Sequence, residues 1–358
     1  MQRILRTLTS LLLLVVLALT GCGQITYKDG YYTVFSELYM TTSYQGGSDS
    51  GVQALADELN AKINPDVSTS EVALFNAMGV GEMEISKCVY DLISLSLNVY
   101  QESNGAFDIT LSSLSKVWSV DHNSLANTEF PPLPDYPTLS LYESGMDRLK
   151  LREQDGKYYL SKTSADVKID LGGIAKGYLS DLVANKLKDN GTNSAIIDVT
   201  GNLYLLGQKL DNNGNSLDWK IGVNNCFDEG GEYLCGIVCP SSVAIVTSGT
   251  YERFYEKDGI KINHIINPNT RMPVGVTYDN GYKNTTDHVV SATIIGENGA
   301  VCDAIATAVC VLGLQDGKAL IQSKGLSALI VTANGKYTVV GNIDFMSGNF
   351  YINGLEKV

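Results

Sequence analysis

Four short runs in this chain of 358 residues gather residue types that can handle a phosphorylated ligand. In DAIATA at 303–308, Asp303 and Thr307 stand four positions apart. On a helix that spacing puts a carboxylate and a hydroxyl on one face, where they can hold a hard cation; magnesium suits two such ligands with a carbonyl and phosphate oxygens. DLGGIAKG at 170–177 sets two glycines between a strand ending near Ile169 and a helix beginning near Ile174. Gly172 and Gly173 lack Cβ atoms, so their backbone can approach a ligand or metal closely, and the helix start behind them favours a phosphate. GAFDIT at 105–110 offers the flat apolar ring of Phe107 beside the carboxylate of Asp108. The longest run, TSGTYERFYEKDGIKINHIINPNTRMPV at 247–274, carries His264, a residue able to move a proton near neutral pH. Each run also has a plain structural reading: a glycine turn, an Asp on a helix dipole with Thr bonded back to a carbonyl, a core Phe beside a turn Asp, and a packed His in an apolar strand.

The elements that must position these residues are legible in outline. Val52, Leu55, Leu59 and Ile63 recur at helical spacing, Ser68 and Glu71 form a capping-box pattern for a short helix over 69–77, and a third helix starts near Ser86 with Val89, Leu92, Ile93, Ser96, Val99 and Tyr100 along one side. The stretch 119–145, with Pro131, Pro132, Pro134 and Pro137, cannot be continuous helix or central strand, because proline removes amide donors, and it is a candidate insertion. Strands flank the Asp155-Gly156 turn, a helix follows over 174–188, and strands are expected near 31–40, 195–206, 219–224 and on both sides of 249–258. A helix over 301–312 precedes strands at 327–332 and 336–341 joined by Asn334-Gly335. Helices and strands mix without strict βαβ alternation, which makes the fold α+β.

Composition narrows the function. With net charge −13 and no cluster of five or six Lys or Arg, an electrostatic grip on nucleic acid is excluded, and any anionic ligand must be held by local devices such as a metal, backbone amides or a helix N-terminus. Arg3 and Arg6 precede an apolar run from Leu11 to Leu19 and then Leu19-Thr20-Gly21-Cys22, which resembles a bacterial lipobox. That pattern implies a signal peptide over 1–21, acylation of Cys22 and an extracytoplasmic, membrane-anchored protein; the apolar run is too short to span a bilayer. A tether is expected over 22–36, a catalytic domain over 37–345 and a tail over 346–358. Cys88, Cys226, Cys235, Cys239, Cys302 and Cys310 permit disulfides without fixing a pairing, and core thiols stand as the alternative. Cys226, Cys235 and Cys239 form no CxxC pair and have no His nearby, which argues against zinc.

Taken in order, the four runs resemble the ApbE-type FAD:protein FMN transferases, and the similarity extends from about Glu37 to Val340. The resemblance implies an α+β fold of the T-fold kind, FAD as donor, Mg²⁺ as cofactor, and FMN joined by a phosphoester to Ser or Thr of an acceptor. It implies metal ligation by Asp303, Thr307 and the Gly173 carbonyl. Met40, in YMTTS, and Ala106, Phe107 and Asp108 are expected to border the flavin or nucleotide, Asp170 and Lys176 to contact FAD, and His264 to stand beside the donor as the acid-base group. Its acceptors would carry an SGAT-like site on membrane-bound redox subunits of sodium-pumping and related electron-transfer complexes, or on an extracellular flavoprotein. Three positions depart from the family pattern: Arg271 stands where a Gly follows the Thr of the NPxTG turn, Thr200-Gly201 replaces a Gly pair, and no aromatic residue precedes the short helix near Asp66. Two rival functions compete with transfer: an FAD pyrophosphatase that yields free FMN and AMP, and a lipoprotein that binds a flavin or other solute without chemistry.

Overall fold

The computed structural model describes residues 26–28, 31–35, 41–45, 51–121, 124, 129–211, 213–228, 232–239 and 241–358; Cys22 and Met40 lie outside them. Ten strands build the main sheet in chain order: β1 (Thr26–Lys28), β2 (Tyr31–Phe35), β3 (Thr41–Gln45), β4 (Ala195–Val199), β5 (Asn202–Leu206), β6 (Val243–Gly249), β7 (Val289–Gly296), β8 (Ser327–Thr332), β9 (Lys336–Val340) and β10 (Glu356–Lys357). Every neighbouring pair is antiparallel except β9 with β10. The central strands are apolar on both faces. In β6, Ala244 and Val246 join one core while Ile245 joins another, and in β8 Ala328 and Ile330 divide in the same way from Leu329 and Val331. Such strands read as continuous apolar runs because both faces of the sheet are covered.

Six α-helices are delimited among the described residues, the last two of which carry the 170–177 and 303–308 runs: α1 (Val52–Ile63), α2 (Glu71–Ala77), α3 (Lys87–Glu102), α4 (Ser112–Val117), α5 (Gly172–Asp189) and α6 (Gly299–Lys324). The buried sides of α1, α3, α5 and α6 share one core with one face of the main sheet, and a three-stranded sheet of Gly81–Ile85, Leu149–Gln154 and Lys157–Lys162 joins them. The other face is covered by Trp219–Asn224, Tyr233–Cys239 and Asp344–Phe345. The architecture is α+β with mixed sheets, as expected from sequence.

Several boundaries differ from the sequence-based ones. The tether expected over 22–36 gives way at Thr26 to the edge strand β1, ahead of β2, which begins the strand expected near 31–40, and the tail expected over 346–358 returns as a 3-10 turn, Tyr351–Gly354, and as the edge strand β10. Both ends were misjudged because edge pairing is a tertiary choice that short polar segments do not advertise. The short helix α2 is capped by Ser70, whose Oγ accepts from Ala73 N at 3.0 Å, rather than by Ser68. Glu71 turns outward and accepts from the amide and hydroxyl of Ser86, joining the starts of α2 and α3. α5 begins two residues early, so Gly172 and Gly173 form its first turn. α6 runs on past 312 through a break at Gly313, whose backbone is not helical. All six cysteines of the described residues are thiols, and burial pushes Cys226 and Cys235 up to about 12, so they serve as inert core side chains.

α5 and α6 cross at bare backbone. A Cβ at Gly177 would fall 2.1 Å from the Gly299 carbonyl oxygen and 2.8 Å from Asp303 Cβ, and a Cβ at Gly299 would fall 2.7 Å from the Gly177 carbonyl oxygen. Asp181 locks the crossing: its Oδ1 accepts from Gly299 N at 2.7 Å and its Oδ2 from Ala300 N at 3.0 Å. Gly177→Ala should therefore destabilise the protein by about 3 kcal/mol, the upper range of overpacking costs, read as a lowered urea midpoint. Gly354→Ala, where nothing lies within 4 Å, is the control and should leave the midpoint unchanged.

Candidate active site

A cleft of about 670 Å³ opens at the end of the main sheet where β4 and β6 finish and where α5 and α6 begin. That volume is within the range of cofactor-sized sites. Nine sequence-selected residues line it: Ala106, Phe107, Asp108, Asp170, Gly173, Lys176, His264, Asp303 and Thr307. They come from four segments far apart in the chain. Met40 and Cys22, also selected from sequence, lie outside the described residues.

Asp303 and Thr307 face the same way from α6, one turn apart. Asp303 is almost fully buried at 3% exposure, and its Oδ2 accepts from Gly177 N at 2.9 Å. Burial raises its carboxyl above the ordinary range, opposed by the Lys176 ammonium and the Gly177 amide. Thr307 Oγ1 shares a hydrogen bond of 3.2 Å with Ser248 Oγ at the end of β6, so its hydroxyl faces across the cleft rather than bonding back to its own helix. Gly173 completes the group. A Cβ there would meet Phe107 Cε2 at 3.2 Å and Thr307 Oγ1 at 3.6 Å, so the first turn of α5 presses its backbone directly against both.

The N-terminus of α6 is already satisfied: Asn298 Oδ1 accepts from Val301 N, and Asp181 takes Gly299 N and Ala300 N. Any anion at the cleft therefore meets the side chains of α6, and at the start of α5 the amides of Ile174 and Ala175 are likewise taken, by the Leu171 carbonyl. There Asp170 Oδ1 accepts from Gly172 N at 2.7 Å, and Asp170 N donates to the Ile109 carbonyl at 2.8 Å. Asn76 holds the preceding residue like a strand partner, donating to Ile169 O at 2.8 Å and accepting from Ile169 N at 2.7 Å. These bonds join the 105–110 and 170–177 runs into one wall.

Asp108 is fixed in that wall. Its Oδ1 accepts from both the amide (2.7 Å) and hydroxyl (2.6 Å) of Thr110, and the same hydroxyl accepts from Gly145 N. Burial raises its pKa against these bonds. Gly145 lies at the end of the proline-rich 119–145 stretch, so that stretch buttresses the cleft. Lys116, Val120 and Asp121 also line it.

His264 projects from the loop between Ile260–Asn263 and Ile266–Asn267. Its amide donates to the Arg253 carbonyl at 3.2 Å, and its Nδ1 lies 3.2 Å from the same oxygen. A carbonyl can only accept, so Nδ1 carries the proton of the neutral ring and Nε2 is left as the basic nitrogen. Burial, then Arg253 and Lys176, hold its pKa well below 6.5. The ring is therefore neutral at physiological pH, a proton acceptor and not a proton donor.

Sequence reasoning missed Glu252 and Arg253, although both lie within the 247–274 run. They keep accessible surface inside the cleft while surrounded by its walls, and Glu252, its carboxyl raised by burial, feels the charges of Lys176 and Arg253. Their signal was the pairing of opposite charges between a strand end and a hairpin, which resembles any solvated turn. Ser248 and Tyr251 were missed for the same reason; a Cβ on Gly249 would strike the Tyr251 ring at 2.2 Å, so that glycine makes room for the ring to fold back. The departures at Thr200 and Arg271 have a physical reading: both adopt left-handed backbone, φ 47° and 58°, where glycine is the unstrained choice. Arg271 is held there by Trp118, whose Nε1 donates to the Arg271 carbonyl at 2.8 Å.

Comparison with known proteins identifies the family. The profile of the ApbE family matches residues 31–330. A relative in Treponema pallidum, named FAD:protein FMN transferase, is 29% identical over 271 residues, 73% of this chain and 70% of that protein. Among solved structures, the flavinyl transferase ApbE of Pseudomonas stutzeri superposes with TM-score 0.69 at 22% identity, covering 90% of this chain and 95% of its own. The ApbE protein of Thermotoga maritima superposes with TM-score 0.70 at 24% identity, covering 88% and 97%. With its family profile matched across most of its length, and with the runs that carry the resemblance folded around one cleft, this chain belongs to the ApbE family.

Proposed function

We propose that this protein transfers FMN from FAD to a Ser or Thr hydroxyl of an acceptor protein and releases AMP, with Mg²⁺ as cofactor. The observation that carries the reading is the meeting of Gly173, Asp303 and Thr307, from two helices far apart in the chain, in a cleft that also holds Lys176 and His264.

The residues present fit a magnesium ion. A buried carboxylate, a hydroxyl and a close-lying backbone are hard oxygen donors, and magnesium prefers one or two such protein ligands plus phosphate oxygens and water over an all-protein cage. Beside Asp303, the Asn202 side-chain amide, 1% exposed, favours the charged form of that carboxyl, the form a metal ligand needs. Asp303, Thr307 and the Gly173 carbonyl would hold the ion. When bound, it supplies Lewis-acid neutralisation and positioning of the diphosphate.

The chain's own groups do the rest. Lys176 and Arg253 bring positive charge to a cleft otherwise rich in carboxylates, and so offset the diphosphate of the donor. Asp170 contacts FAD at the α5 start, and Phe107, with Ala106, Asp108 and Met40, borders the flavin or nucleotide. The acceptor oxygen forms a bond to the FMN-side phosphorus, the bridging P–O bond breaks, and AMP leaves with that electron pair. The hydroxyl proton passes to Nε2 of neutral His264. Water can take the place of the hydroxyl in the same cleft, which gives free FMN and AMP. Acylation at Cys22 holds the protein on the outer side of the membrane, where its acceptors, carrying an SGAT-like site, belong to membrane redox subunits or extracellular flavoproteins.

Four measurements test this reading. Asp303→Ala should abolish transfer in a folded protein, followed by the mass gain of one FMN on an SGAT-type acceptor peptide; full activity at saturating FAD and limiting magnesium rejects the assignment. His264→Asn should still bind FAD yet turn over about 10²–10⁴-fold slower. Since the His264 pKa lies well below 6.5, wild-type turnover should stay level as pH falls through 6.5, and a protonation limb at that value would remove His264 as the base. Incubated with FAD and no acceptor, the protein should release FMN and AMP far more slowly than it modifies the peptide; equal rates would make hydrolysis the main activity, and binding without turnover or magnesium dependence would favour a solute-binding lipoprotein.

A further inference from the structure

The strand register places the start of the described chain at the same end of the sheet as the cleft. Thr26 pairs with Thr33, Thr33 with Ser43, and Ser43 with Asp198, so these four residues form one row across β1 to β4. Asp198 Oδ1 accepts from Gly201 N at 2.7 Å, and Thr200 and Gly201 line the cleft. Antiparallel order sets the direction. β4 runs toward the cleft, β3 away from it, β2 toward it and β1 away from it, so β1 begins on the cleft side. Three inter-strand steps of about 4.8 Å and two residues of about 3.4 Å put Thr26 roughly 16 Å from Thr200. Four residue steps connect Cys22 to Thr26, and a fully extended chain spans at most about 3.6 Å per residue, or roughly 14 Å. The cleft-lining turn therefore stands within about 30 Å of the Cys22 Cα, whatever path those residues take. A domain of this size is roughly 50 Å across.

We propose that the acyl anchor and the cleft lie at one end of the molecule, so that the enzyme serves acceptors whose target hydroxyl is presented close to the membrane and excludes bulky acceptors free in solution. The proposal rests on the transferase reading and on acylation of Cys22. Because β1 is part of the main sheet, only three residues separate Cys22 from the fold, and the cleft cannot swing away from the bilayer as it could on a long tether. FAD is small enough to enter regardless. The restriction falls on the protein substrate alone.

The test compares the full-length acylated enzyme in phosphatidylcholine–phosphatidylglycerol vesicles with a variant carrying 40 Gly/Ser residues inserted between Cys22 and Thr26, a linker whose r.m.s. span is about 35 Å. Each is given a free acceptor domain, the same domain held on the vesicle by a short lipid-attached linker, and a short SGAT-type peptide. The insertion should raise the rate on the free domain at least about fivefold while leaving the peptide rate and the KM for FAD unchanged, and wild type should favour the membrane-held domain. Equal rates of the two enzymes on the free domain would overturn the proposal. Two controls separate this from failure of its premises. Mass spectrometry that finds no diacylglyceryl group on Cys22, absent also from Cys22→Ser, overturns it at the anchor; a detergent-solubilised enzyme that modifies no peptide overturns it at the transferase reading.

Discussion

The contact on which the site depends is the crossing of α5 and α6, where two glycines bring backbone to backbone and the Gly177 amide donates to Asp303. One bond and one close approach set the spacing between the first turn of α5, with Gly173 and Lys176, and the first turns of α6, with Asp303 and Thr307. A methyl group at the crossing would push the helices apart, and the carboxylate would move with α6. Asp181, on α5, ties the amides at the start of α6 and so settles its rotation as well as its distance. Stability and chemistry thus share the same few atoms.

Electrostatics follow from that geometry. The protein is acidic overall, and its cleft presents Asp66, Asp108, Asp121, Asp170, Glu252 and Asp303 against Lys116, Lys176 and Arg253. A diphosphate would be repelled by such a surface in the absence of a local cation, and burial of Asp303 makes its carboxylate costly until positive charge stands beside it. The same burial keeps His264 neutral, with its tautomer chosen by the Arg253 carbonyl. A carboxylate that calls for a cation and an imidazole held neutral, with Nε2 free to accept a proton, are complementary parts of one phosphoryl-transfer site.

Much of this was legible in sequence because the functional groups sit in compact runs with short-range causes. The i,i+4 spacing of Asp303 and Thr307 needs only a helix, and the glycines before α5 need only a strand-to-helix turn. What sequence could not supply was convergence, since no periodicity places residue 107 against residue 173 or residue 177 against residue 303. Glu252 and Arg253 were hidden by looking like a surface turn. The two extreme ends were misread because β1 and β10 are held by edge pairing, not by apolar pattern. Thr200 and Arg271, legible only as departures from a family pattern, acquire a cause once their left-handed backbone is seen.

The central claim is that the α5–α6 crossing forms a divalent-cation seat for the diphosphate of FAD. The most direct measurement is anomalous diffraction from crystals grown with Mn²⁺ and FAD. A manganese peak is expected within bonding distance of the Asp303 carboxylate, the Thr307 hydroxyl and the Gly173 carbonyl, and of oxygens of the bound diphosphate. Manganese found elsewhere in a crystal with FAD ordered in the cleft, or a diphosphate ordered against Lys176 and Arg253 with no metal between it and Asp303, would contradict it.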